Sequence, residues 1–300
     1  MKHYLKDCEG RIMKPYIIST DCMADLPADF IEQHNLSIHP LYFQIGDQTY
    51  SATEGTLSEE EFYAKMRNGE MPTTMASNPE FIEQSFSENL AKGYDILHIS
   101  FSSGLSSSYN NTAVTAKAMM EDHPDSKIIV IDSLCASMGQ GLLVYYACKK
   151  KEEGATIEEL AQYVEELIPH ICHQFTVDNL FHLHRGGRVS RATAIIGTIA
   201  NIKPVLHVDN EGKLINIAKI RGRKRSLTTL VDNMEQAMQG YDNPIVFISH
   251  GDCLEDALFV KEQIEERFGI HEFLINYVGS TIGAHTGPGV VALFFLGSER

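Results

Sequence analysis

The sequence is short of basic residues. Twenty-five lysines and arginines stand against 40 aspartates and glutamates over 300 residues, a formal net charge of −15. General nucleic-acid binding needs a basic footprint, so this balance argues against it and against broad attraction to anionic membranes. Long apolar runs are lacking as well. The longest, 142–148 and 290–296, fall far short of the about 20 residues that a membrane-spanning helix requires. The first 14 residues carry scattered charges and no apolar core of a signal peptide. Six cysteines form no CxxC pair, which favours free thiols in a reducing compartment and a cytoplasmic location. No GxxxxGK[ST] loop is present, and Gly139-Gln140-Gly141 has Val144 where a dinucleotide fingerprint needs glycine. Ser102 lacks the glycines of a nucleophile elbow. His170, Cys172, His173, His182 and His184 cluster without an evident acidic partner, so neither a metal site nor a cofactor is expected.

What is present is an ordinary globular composition, 43% hydrophobic and 22% charged, long enough for about two domains. After a 14-residue extension, strand-like runs at 15–20, 37–45, 94–102 and 126–132 alternate with helical stretches. That alternation predicts βαβ units and a mostly parallel sheet with helices on both faces. Ser58 with Glu61 forms a capping-box pattern, and Asn78-Pro79 reads as a helix start. The second half changes character. It has a strand at 171–177, an apolar helix over 192–204, a hairpin over 205–220 turning at Asp209–Gly212, and further helices and strands to residue 297. The expectation is an α/β protein of two domains: an N-terminal α/β domain over 15–167 and a C-terminal α+β domain over 168–300.

The densest concentration of chemistry is Ser100-Phe101-Ser102-Ser103-Gly104-Leu105-Ser106-Ser107-Ser108, between a buried strand and a helix expected over about 106–122. A helix start after a parallel strand offers hydroxyls and free N–H groups to an anion. Capping alone needs one or two of these serines. Thr73-Thr74 forms a second hydroxyl-rich loop, and Gly283-Ala284-His285-Thr286-Gly287-Pro288-Gly289 a third, where glycines permit close backbone approach to a ligand. Arg185-Gly186-Gly187-Arg188 reads as a turn whose Arg188 either bridges to an acid or faces an anionic partner. Arg221, Arg223, Lys224 and Arg225 stand out in so acidic a chain, as a solvated run or as a docking patch.

Taken together, Thr20-Asp21-Cys22, Pro72-Thr73-Thr74, Ser102-Ser103-Gly104-Leu105-Ser106, Asp132-Ser133, Arg185-Gly186-Gly187-Arg188-Val189-Ser190, Ile202-Lys203-Pro204 and Ala284-His285-Thr286-Gly287 resemble the DegV family of bacterial fatty-acid-binding proteins over about residues 16–298. The resemblance implies a long-chain fatty acid, such as palmitate, in a slot between the two domains. Its carboxylate would meet Thr74 and Ser106 with His285 close by, supported by Ser102, Ser103, Gly104, Ser107 and Thr286. It also implies a carrier that presents the acid to a fatty acid kinase, for which the basic residues Arg188, Arg223 and Arg225 of this acidic chain are candidate docking residues. Met75 and Ser107 depart from the family's usual serine and glycine. The apolar stretches 142–148 and 192–202 are candidates for the slot wall or for plain core. The competing reading is a serine-dependent acyl-ester hydrolase with Ser106 as nucleophile and His285 as base, although no group to orient the histidine is visible. A third reading, phosphate or nucleotide binding at the serine-rich helix start, lacks phosphate-loop signatures and clustered lysines.

Overall fold

The computed structural model describes residues 5–6, 12–53, 57–191, 201–298 and 300. A short antiparallel pair, β1 (Leu5–Lys6) and β2 (Ile12–Met13), precedes β3 (Tyr16–Asp21), α1 (Ala28–Gln33), β4 (Ser37–His39), β5 (Tyr42–Ile45), β6 (Gln48–Ser51), α2 (Glu59–Arg67), β7 (Thr73–Thr74), α3 (Pro79–Ala91), β8 (Asp95–Ser100), α4 (Ser108–Asp122) and β9 (Ile128–Asp132). Then come α5 (Met138–Glu152), α6 (Ile157–Leu167), β10 (Ile171–Thr176), α7 (Phe181–Arg185), β11 (Ile202–Val208), β12 (Leu214–Arg221), α8 (Arg223–Ala237), β13 (Val246–His250), α9 (Leu254–Phe268), β14 (Phe273–Tyr277), α10 (Ser280–Thr286) and β15 (Val291–Leu296).

The parallel sheet has the order β4-β3-β8-β9. Every residue of β8 is buried, as a parallel strand covered on both faces must be. One face carries Ile82 and Phe86 of α3 with Ala116 and Met119 of α4, and the other packs on α5 and α6. The second sheet, β12-β11-β10-β15-β13-β14, is antiparallel except for the β13–β14 pair. Its outer face is covered by Leu227, Leu230 and Val231 of α8 and Val260 and Ile264 of α9.

Helix α5 lies between the two sheets and touches both. Of the apolar stretch 142–148, Leu142, Leu143, Val144, Ala147 and Cys148 are buried and Tyr145 and Tyr146 half-buried. This segment fills the common core rather than a ligand slot. The capping boxes are in place: Ser58 accepts from the Glu61 N–H, and Thr156 from the Glu159 N–H.

Four local expectations are corrected. The strand expected over 37–45 is two strands in two sheets: β4 joins the parallel sheet, while β5 joins the small sheet β6-β5-β7. Pro40, which has no N–H to donate to a ladder, sits at the break. The helix expected to end at Pro204 is replaced over Ile202–Val208 by β11, and 192–200 lie outside the described residues. Pro204 is tolerated beside a register shift at Val205/Leu206, the kind of irregularity that admits proline into a sheet. Helix α4 starts at Ser108, so Ser106 precedes it by two residues. The glycine-bordered His285 segment is not a loop but the last turn of α10.

Candidate functional site

A cavity of about 450 Å³ opens between the serine-rich turn, the β7 strand, the α7 turn, α10 and the inner face of the second sheet. That volume lies in the range of small-molecule sites. Its walls are mostly apolar, with Met23, Leu41, Phe101, Phe175, Leu183 and Val208 among them. One polar group of the lining forms around Thr74 and His285 with Arg185 and Arg188, while Ser106, Ser107, Ser137, His173, Thr281 and Thr286 add further polar lining.

Thr74 is brought there by β7, which pairs Thr74 with Phe43 and Thr73 with Gln44. Its Oγ1 lies 2.8 Å from His285 Nε2, across 211 residues of sequence. The imidazole reaches that position because Gly186 has no side chain: a Cβ there would stand 2.1 Å from His285 Nδ1. Burial, together with the cationic Arg188 and Arg185, pushes the His285 pKa down to about 3, so the ring is neutral at physiological pH. Its Nδ1 has no hydrogen-bond partner.

The two arginines frame this group. Arg185 Nη2 donates to the Pro72 carbonyl at 2.7 Å and to the Ala284 carbonyl at 2.9 Å, while its buried Nε is left unpartnered. Arg188 donates through Nε to the Leu105 carbonyl at 3.1 Å and through Nη1 to the Gly186 carbonyl. These bonds tie the three loops together and leave two positive charges beside the cavity with no acidic side chain in its lining.

Ser106 Oγ lies 2.9 Å from Ser108 Oγ and accepts from the Ser108 N–H at 3.2 Å. Among the described residues no Ser106–His285 hydrogen bond exists, and no carboxylate bonds the histidine, so the parts of a Ser-His hydrolase are not assembled. A histidine held near pKa 3 is also a poor general base at neutral pH.

The remaining candidates separate by position. Ser107 and Thr286 line the cavity. Ser102 is buried away from it and donates to the Gly212 carbonyl at 2.8 Å, clasping the β11–β12 hairpin. Gly104 packs against the same turn, where a Cβ would meet the Glu211 carbonyl oxygen at 2.6 Å. Ser103 is exposed, its N–H donating to Asp132 Oδ1 at 3.0 Å. These three residues hold the loop rather than face the cavity. Arg223 is engaged internally, bonding Asp256 Oδ2 at 2.9 Å and the Gly289 carbonyl at 2.6 Å, whereas Arg225 is exposed. Met75 is 42% exposed at the cavity rim.

Sequence reasoning did not single out Arg185 as a residue of this polar group or anticipate that Gly186 seats His285. The arginine-glycine-glycine-arginine turn was the available signal, but its meeting with α10 is a property of the fold. It also missed a network at the junction of the two sheets. There Ser137 Oγ donates to the buried Asp25 Oδ2 at 2.6 Å and lies 3.0 Å from Ser249 Oγ. Burial pushes the Asp25 pKa up to about 8, against the opposing hydrogen bonds from Ser137 and the Gly279 N–H.

The family model described as an uncharacterised protein of the DegV family matches residues 16–298. A DegV domain-containing protein of Clostridium perfringens is 40% identical over 289 residues, covering 96% of this chain and 99% of the relative. The structure of a DegV family protein from Thermus thermophilus, described by its fatty acid binding, superposes with a TM-score of 0.84 at 27% identity, covering 95% of this chain and 100% of that one. Bacillus subtilis DegV, described as a fatty acid binding protein, superposes with a TM-score of 0.81 at 28% identity and the same coverage.

Proposed function

The chain belongs to the DegV family, and from that premise we propose that it binds a long-chain fatty acid in the cavity between an N-terminal domain (15–167) and a C-terminal domain (168–300). The observation that carries this reading is the character of the cavity lining: mostly apolar, with a polar group in which Thr74 meets a neutral His285 beside Arg185 and Arg188. An acyl chain with one carboxylate has the same distribution. Burying about 14 methylenes at roughly 0.8 kcal/mol each yields on the order of 11 kcal/mol gross, before association and ordering costs. The polar group then sets which way the acid points.

In that group the His285 Nε2–H donates to Thr74 Oγ1, which leaves the threonine hydroxyl proton for a carboxylate oxygen. This tautomer is the one assigned because His285 Nδ1 has no hydrogen-bond partner, and a buried N–H left without an acceptor there costs more than a bare ring nitrogen. Ser106 supplies a second hydroxyl. Arg185 and Arg188 supply positive potential in a poorly solvated setting, where it counts for more than in water. The protein acts as a carrier in the cytoplasm and presents the carboxylate to a fatty acid kinase. Arg225, exposed on α8, is the docking residue most accessible to such a partner.

Mass spectrometry of an organic extract of the purified, denatured protein should return a long-chain fatty acid at about one per chain. Thr74→Val with Ser106→Ala should stay folded and bind the acid more weakly, since each hydrogen bond to a charged group contributes about 1.5–3 kcal/mol. Unchanged affinity in that double variant would overturn the assignment of the polar group.

A further inference from the structure

Beneath the cavity floor, three side chains from three neighbouring strands of the parallel sheet converge: Asp21 at the end of β3, His39 at the end of β4 and His98 on β8. All three are buried, at 0%, 2% and 0% exposure. Each offers one donor atom, and those atoms lie within 4.8 Å of one another. Four polar atoms in this cluster have no hydrogen-bond partner: Asp21 Oδ1, His98 Nε2 and both ring nitrogens of His39. The His98 Nε2–Asp21 Oδ1 separation is 3.7 Å, beyond hydrogen-bond reach. A buried unsatisfied polar group costs about 1–3 kcal/mol, and more for a charged one, so four at one point require an explanation.

The far sides of the same groups are well held. Ser19 Oγ lies 2.9 Å from His98 Nδ1, which turns Nε2 toward the cluster. Asp21 Oδ2 accepts from the Phe101 N–H at 2.6 Å and from Ser100 Oγ at 3.1 Å, which leaves Oδ1 facing inward. Outer hydrogen bonds that fix the tautomer and orientation of inner donors are the usual support of a metal site. Phe86 walls the cluster, its ring 4.8 Å from that of His39 and 5.7 Å from that of His98.

We propose that Asp21, His39 and His98 bind one divalent transition-metal ion, with zinc the fitting choice. Two imidazoles and one carboxylate suit zinc or its first-row neighbours and not calcium or magnesium, which prefer all-oxygen shells. Donors bound at about 2.0–2.1 Å in a tetrahedral shell stand about 3.4 Å apart, so the widest separation, at most 4.8 Å, contracts by up to about 1.4 Å when all three bind one ion. The ion would join three strands at residues that lie only two or three positions before the cavity-lining Met23, Leu41 and Phe101. Its role is to brace the cavity floor, and it holds whether or not the cavity takes a fatty acid.

The test is metal content of the full chain. After chelation, dialysis against cobalt(II) or zinc(II) and removal of free ion, the wild type should retain one equivalent, show cobalt ligand-field absorption, and melt at a higher temperature with zinc than without. His39→Leu, whose apolar side chain suits the Phe86 wall, should fold and lose the retained metal, the absorption and the zinc-dependent rise in melting temperature together. Retention well below one equivalent in the wild type, or undiminished retention in His39→Leu, overturns the proposal. Zinc-edge absorption of the wild type needs no variant: two imidazole nitrogens and a carboxylate oxygen are expected, and a shell containing sulfur or a single imidazole refutes it.

Discussion

Gly186→Ala isolates the seat of His285. Gly186 follows α7 with φ −75° and ψ −7°, which alanine adopts without strain. The whole effect of the added methyl therefore comes from what it meets, and it meets the imidazole: 2.1 Å to Nδ1, 3.0 Å to Cε1 and 3.1 Å to Cγ. No rotamer adjustment of a few tenths of an ångström relieves 2.1 Å, so the ring must swing and its 2.8 Å contact with Thr74 is lost. Overpacking of this kind costs about 1–3 kcal/mol of stability. Loss of the oriented threonine hydroxyl removes about 1.5–3 kcal/mol of fatty-acid binding, which is about 10- to 150-fold in Kd. Chemical denaturation and titration with a labelled fatty acid read the two effects. The decisive comparison is in a His285→Ala background, where the obstruction is gone: there Gly186→Ala should change both quantities by less than about 0.5 kcal/mol, the margin for non-interacting sites. Wild-type affinity in Gly186→Ala, or equal losses in both backgrounds, would refute the coupling of these two loops.

Gly104→Ala should destabilise the fold by about 1–3 kcal/mol while leaving the cavity lining intact; its Cβ would stand 2.6 Å from the Glu211 carbonyl oxygen and 2.8 Å from that of Gly212, backbone atoms that cannot swing away. Wild-type unfolding midpoints for this variant would remove the serine turn's packing on the hairpin from the argument. Asp25→Asn tests the junction network. The Asp25 carboxyl has its folded pKa raised from 3.8 to about 8 by burial, so its contribution to stability is fully present below 3.8 and is lost as pH rises to about 8. In that window wild-type stability relative to Asp25→Asn should fall by about 1.4 kcal/mol per pH unit, since the folded state holds one proton that the unfolded state does not. Parallel stability-versus-pH curves for the two proteins would show that Asp25 does not carry that proton.

How much of this was legible in the sequence depends on distance along the chain. Helix caps were readable because Ser58 and Glu61, or Asn78 and Pro79, settle their geometry within a few residues. The buried parallel strands and the apolar stretch 142–148 of α5 were readable because periodicity is also local. Pro40 and Pro204 show where local reading stops. Each proline forbids one ladder hydrogen bond, but whether the chain answers by changing sheets, as at Pro40, or by shifting register, as at Pro204, depends on strands far away. The candidate site divides in the same way. Thr74, Ser106 and His285 stand out by residue type and by resemblance. The contact of His285 with Thr74, the vacancy at Gly186 that permits it, and the arginines that depress its pKa arise from residues 97 to 211 positions from His285 in sequence. The Asp21–His39–His98 cluster has no metal-ligand spacing at all, since its members are 18 and 59 residues apart; only the order β4-β3-β8 makes them neighbours. Residue type therefore marks where chemistry is available, and strand order decides which of those residues act on one another.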